Sequence, residues 1–88
     1  MAIESSLIEY PCDFPIKIMG RTEPGFAQAI VEVVTRHAPE LDSRNVEMRL
    51  STQKRYLSIT CTIRAHSREQ LDRLYRDLCD HPAVLMVL

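Results

Sequence analysis

From Tyr56 to Ala65 the chain alternates without a break. Leu57, Ile59, Cys61, Ile63 and Ala65 take one set of positions, and Tyr56, Ser58, Thr60, Thr62 and Arg64 take the other. Strand side chains point to opposite faces in turn, so this period of two commits the segment to a strand with one face in a core and one toward water. A strand of that kind is not stable alone. It needs neighbours in a sheet and a layer of other elements over its apolar face. A chain of 88 residues supplies one such domain, with 45% hydrophobic residues to fill its core.

The rest of the sequence provides the partners. Phe14, Ile16 and Ile18 alternate with Lys17 and Met19, which predicts a first strand over Phe14–Gly20. Residues 1–13 precede it as an irregular arm, kept extended by Pro11 and apolar at Leu7, Ile8 and Tyr10. Pro24 suits the first turn of a helix running to His37, with Phe26, Ile30, Val33, Val34 and His37 on its buried stripe. Val46, Met48 and Leu50 alternate with Glu47 and Arg49 as a second strand, joined through Ser51–Arg55 to the long third one. Ser67 and Gln70 form a capping box that opens a second helix, with Leu71, Leu74, Tyr75 and Leu78 inward. Glu69–Arg73 and Asp72–Arg76 are i,i+4 pairs on its wet side. His81-Pro82 ends it, and Val84–Leu88 is a last strand. The order β-α-β-β-α-β, with right-handed crossovers and a central hairpin, predicts an α+β ferredoxin-like sandwich over residues 14–88. Its four-stranded antiparallel sheet has order 4-1-3-2, with both helices on one face.

Charge and cysteine usage narrow the function classes. Eleven basic residues against twelve acidic ones leave a net charge of −1, whereas backbone binders of nucleic acid draw affinity from a strong positive excess. Cys12, Cys61 and Cys79 form no CxxC pair and are odd in number, which fits reduced thiols in the cytoplasm. The N-terminus shows no signal peptide, and no apolar run approaches membrane-spanning length. His37 and His66 fall at one end of the predicted fold and His81 at the other, so no three-histidine metal site forms in a monomer. No cofactor motif is present.

The stretch Tyr10-Pro11-Cys12-Asp13-Phe14-Pro15-Ile16-Lys17-Ile18-Met19-Gly20 resembles the YbeD-like family of small bacterial proteins of unknown function. So do Val31-Glu32-Val33-Val34-Thr35-Arg36-His37-Ala38-Pro39, Ser51, Tyr56-Leu57-Ser58-Ile59-Thr60 and the terminal Val84-Leu85-Met86-Val87-Leu88. The resemblance implies a ferredoxin-like fold similar to ACT amino-acid-sensing domains, and it implies no activity. Glu23-Pro24-Gly25-Phe26-Ala27 is similar to the ACT turn between first strand and helix at Pro24 and Gly25 only.

Two surfaces are candidates. The loop carrying Gly20, Arg21, Pro24 and Gly25 meets a helix N-terminus, where backbone N–H groups can hold an anion; the alternative is a tight turn made for packing. The open sheet face offers Lys17, Met19 and Tyr56. Every residue of Val84–Leu88 is apolar, so either Leu85 and Val87 or Val84, Met86 and Leu88 must join that face. Lys17, Met19, Tyr56, Leu85 and Val87 are therefore the expected partner-binding set, covered by the arm or by a second molecule. These features point to a non-catalytic regulatory or adaptor domain that binds a protein partner or small ligand, with a homodimer among the options. The alternative is a weak nucleic-acid binder using the sheet face and the basic hairpin. Acylphosphatase shares the fold, but its Arg-lined phosphate loop is absent here.

Overall fold

The structure, a computed structural model, describes residues 9–88. Its elements are β1 (Cys12–Arg21), α1 (Phe26–His37), a 3-10 turn (Ser43–Asn45), β2 (Val46–Leu50), β3 (Tyr56–Ala65), α2 (Arg68–Asp80) and β4 (Val84–Val87). The sheet order is β2-β3-β1-β4, antiparallel at each junction, as the sequence pattern predicts.

β1 and β3 form the spine, paired from Cys12 opposite Ala65 to Arg21 opposite Tyr56. β1 therefore starts two residues earlier than the alternation suggested. Pro15 is tolerated inside it for a geometric reason. Lys17 exchanges both backbone bonds with Leu88 on the β4 side, at 3.1 and 2.8 Å. Two residues back, Pro15 turns toward the same side, past the last β4 pairing, where its missing N–H interrupts no ladder. Of the expected arm, Leu7 and Ile8 lie outside the described residues. Tyr10 packs against the core rather than over the open face.

Ile16 and Ile18 of β1 and Ile59, Cys61, Ile63 and Ala65 of β3 meet Phe26, Ile30, Val33 and Val34 of α1 and Leu71, Leu74 and Leu78 of α2. No polar side chain is buried among the described residues. Hydrogen bonds at the layer's rim tie the two helices together. His37 Nε2 donates to Asp77 Oδ2 at 2.6 Å, and Gln70 Nε2 donates to the His37 carbonyl at 2.9 Å. Gln70 completes only half of the predicted capping box. Its N–H donates to Ser67 Oγ at 3.1 Å, but its side-chain oxygen accepts from His66 N, one residue beyond the cap. Glu69 pairs with Arg73, whereas Asp72 turns back to Arg68 rather than forward to Arg76. Among the described residues no helix is long and apolar enough to cross a membrane.

Helix α1 starts two residues later than predicted. Phe26 N–H donates to the Glu23 carbonyl at 3.1 Å, closing a turn with Pro24 and Gly25 at its centre. Gly25 has φ 82° and ψ −5°, the third-position geometry of a type II turn, which an L side chain resists. Pro24 thus occupies the second turn position rather than the helix.

Candidate functional site

With both helices on one side, the other face of the sheet carries the side chains that alternate away from the core. β1 contributes Lys17, Met19 and Arg21, and β3 contributes Tyr56, Ser58, Thr60, Thr62 and Arg64. Glu47 and Arg49 of β2 share this face. Arg64 is paired with Asp13 across the strands at 3.2 Å. Lys17, Arg21 and Arg49 are exposed, with no salt bridge among the described residues.

β4 departs from simple alternation. Ile18 pairs with Val87 and Met19 with Met86, but Gly20 pairs with Val84, so one extra residue is bulged into β4 at Leu85. A bulge resets which side chains face which way. Val84 and Val87, three apart, both pack on the core. Val87 is accordingly not part of the open face, contrary to the sequence expectation. Leu85 and Met86 are both about half exposed, at 54% and 50%. Leu88, bonded to Lys17, is exposed as well. The apolar patch thus comprises Met19, Leu85, Met86 and Leu88, with Lys17 inside it. Met86 and Leu88 were missing from the expected set. Alternation had offered Met86 and Leu88 with Val84 as the other choice; the bulge mixes the two sets, because it depends on how β4 meets β1.

The loop candidate divides into two parts. Gly20 is buried, and a Cβ there would run into the Phe26 ring and lie 2.5 Å from the Ala83 carbonyl oxygen. Its lack of a side chain serves close packing of α1 and β4, and its backbone is not offered to a ligand. Pro24 and Gly25 form the type II turn, which takes the Phe26 N–H away from any anion at the helix start. Arg21 is different. It lines an open concavity with Thr22, Glu23, Arg55 and Tyr56, held together by Thr22 N–H donating to the Arg55 carbonyl at 2.9 Å. Arg55, expected from the sequence as part of the basic hairpin, joins Arg21 in this lining because the β2–β3 hairpin ends beside the β1 exit.

The three histidines and Cys61 are engaged structurally, while Cys12 and Cys79 are free thiols, half-buried and exposed. His37 bonds Asp77, and His66 Nε2 donates to Glu40 Oε2 at 2.7 Å. His81 Nδ1 accepts from Ala83 N–H at 3.2 Å, closing the α2–β4 turn. Cys61 is fully buried, and desolvation pushes its thiol up to about 11, away from the reactive thiolate. Among the described residues no three of His, Cys, Asp and Glu gather into a metal-binding group.

A family model described as "Protein of unknown function (DUF493)" matches residues 5–88. The chain belongs to this family. DUF493 relatives are similar over nearly their whole length: a UPF0250 protein of Nitrosomonas europaea is 56% identical, covering 97% of this chain and 98% of the relative. Another from Bordetella pertussis is 58% identical, covering 97% and 93%. In three dimensions this DUF493 chain is similar to the ACT domain of GTP pyrophosphokinase from Chlorobium tepidum. The solution structure of that domain matches with a TM-score of 0.67 at 19% identity, over 86% of this chain and 84% of that one. Its crystal structure gives 0.63 at 20% identity, over 88% and 97%. At this identity the likeness establishes the ACT-type ferredoxin-like fold.

Proposed function

We infer that this DUF493 protein is a non-catalytic regulatory or adaptor domain that docks a protein partner on its open sheet face. The observation that carries the reading is the composition of that face. Its apolar strip of Met19, Leu85, Met86 and Leu88 runs along the β4 edge with Lys17 within it, and the rest of the face carries Arg21 with Arg55 beside the β1 exit and Arg49 on β2. Exposed apolar residues grouped on one sheet surface, with charge at the rim, are the anatomy of an interface. Lys17, Arg21, Arg49 and Arg55 outnumber Glu23 and Glu47 here, although the chain as a whole is slightly acidic. The partner segment that fits therefore combines apolar anchors with acidic side chains, the anchors supplying affinity and the charges orientation. The ACT-type fold supports a regulatory role, and the engaged state of the histidines and Cys61 supports a non-catalytic one. For stacking nucleobases the face offers Tyr56 alone, at its margin.

Capture from native lysate with wild-type protein, Met86→Glu and the α2 surface variant Glu69→Ala tests the reading. Met86 is exposed, so its replacement should leave stability within about 0.5 kcal/mol. The expected result is a partner retained by wild type and Glu69→Ala but lost with Met86→Glu. A peptide from that partner's acidic, apolar segment should bind and should weaken at least tenfold with Met86→Glu. Identical captures by all three proteins, or recovery of nucleic acid that dissociates with added salt, would overturn it.

A further inference from the structure

β2 is a sheet edge, and one hydrogen bond fixes which of its backbone groups point outward. Ser51 N–H donates to the Tyr56 carbonyl at 2.9 Å, continuing the register that sets Leu50 opposite Leu57. In an antiparallel ladder alternate residues turn both backbone groups to the same neighbour. Arg49 and Glu47 therefore face β3, while Leu50 and Met48 turn N–H and C=O outward, where no described strand pairs with them; Val46 turns its C=O outward, its N–H donating to the Ser43 carbonyl of the 3-10 turn.

The residues on this edge read Val46-Glu47-Met48-Arg49-Leu50. The order is symmetric in chemistry about Met48, with apolar ends, an acid on one side and a base on the other. We propose that β2 pairs antiparallel with β2 of a second copy about a two-fold axis at Met48, joining the two sheets into one. In that register Val46 lies opposite the partner's Leu50, Met48 opposite the partner's Met48, and Glu47 opposite the partner's Arg49. The two-fold repeats each contact. Met48 can exchange both backbone bonds with its copy, each Leu50 N–H meets the partner's Val46 carbonyl, and both charged pairs are attractive. The neighbouring registers fail. An axis at Glu47 or at Arg49 sets a charge against its own copy. An axis between two residues brings a helix-side residue against an open-face one.

The helix side of the edge carries a second, independent observation. Met48 and Leu50 share the face of buried Ile59, yet they are 54% and 48% exposed. Beside them a largely apolar groove runs between α1 and β2, lined by Val31, Thr35, Leu41, Val46 and Met48, with Asp42 and Ser43 at one side. The partner's Leu50, arriving opposite Val46, stands at this groove. Edge strands usually carry charges that discourage pairing; here the two charges complement those of a second copy. Stable interfaces bury roughly 1,200–2,000 Å². A five-residue seam is small against that, so the dimer dissociates on dilution.

Sedimentation velocity of the full chain from micromolar to millimolar concentration tests this, with thermal melts as a check on folding. The wild type should move from monomer to dimer. Glu47→Arg or Arg49→Glu alone places two like-charged pairs in the seam and should weaken the dimer at least tenfold. The double variant restores both attractive pairs, and so does an equimolar mixture of the two single variants; both should dimerise like the wild type. Met86→Glu, on the far edge, should leave self-association unchanged while abolishing partner capture. A wild type that stays monomeric throughout would overturn the proposal. So would a double variant as dissociated as the single ones, or a dimer lost only with Met86→Glu.

Discussion

Cys61 lies mid-strand with none of its surface exposed, and desolvation raises its thiol from 9.0 to about 11. Between those values the unfolded chain has released the proton while the folded chain retains it. Native protein then binds more protons than unfolded protein, so stability falls as pH rises through the window. A shift of this size corresponds to about 2–3 kcal/mol. Cys61→Val is close in volume and cannot titrate. Denaturant melts just below pH 9.0 and near 11 should show the wild type losing that much more stability than the variant. Parallel losses would place the thiol in contact with water. Gly20 shows the limit of residue-level reading. In the sequence it marks the end of a strand and opens a loop. Its actual partners, the Phe26 ring and the Ala83 carbonyl, come from α1 and the α2–β4 turn, and no local pattern announces that they meet there.

At the scale of elements, the β2–β3 hairpin lacks a glycine where its geometry calls for one. Lys54 N–H donates to the Ser51 carbonyl at 2.8 Å, and Lys54 then takes φ 61°. Left-handed backbone costs an L residue about 1–2 kcal/mol. Part of that returns as unfolded-state entropy when glycine replaces it. Lys54→Gly should therefore stabilise the domain by about 0.5 kcal/mol, seen as a higher urea midpoint at unchanged slope. A lower midpoint would show that the lysine side chain holds the turn by contacts of its own. The elements themselves were legible because each is governed by its own period. The alternation of Leu57–Ala65 and the stripe Leu71, Leu74, Leu78 survive intact in β3 and α2. The junctions were not. The late start of α1 follows from the type II turn at Pro24-Gly25, and the bulge in β4 follows from its register on Gly20. Both arise from how neighbours meet. The candidate surface inherits this limit: the open-face positions of Lys17, Met19 and Tyr56 follow from alternation, whereas the choice among Leu85, Met86, Val87 and Leu88 depended on the bulge, and the place of Arg55 beside the Arg21 loop on the hairpin's reach.

The whole molecule is two layers with one open surface, and β4 is where the distinction can be measured. Val87 pairs with Ile18 and packs on the core, while its neighbour Met86 pairs with Met19 on the open side. Both are apolar, and they are adjacent in sequence. Glutamate at Val87 would set an unpaired carboxylate against the helices with no basic residue on that stretch of core to receive it, a burden of about 1–3 kcal/mol. Glutamate at Met86 meets water, and should change stability by less than about 0.5 kcal/mol. The expected pair of urea melts is thus a clear loss for Val87→Glu and a near-superposition for Met86→Glu. The reverse order would mean that β4 lies one residue out of register, which would turn Val87 to the open face and take Met86 away from it. Equal, large losses would mean that residues 1–8 or a second molecule already cover Met86. The contrast therefore comes before any binding experiment with Met86→Glu: a variant that keeps its fold and loses its partner identifies a surface, whereas one that loses both reports only on packing.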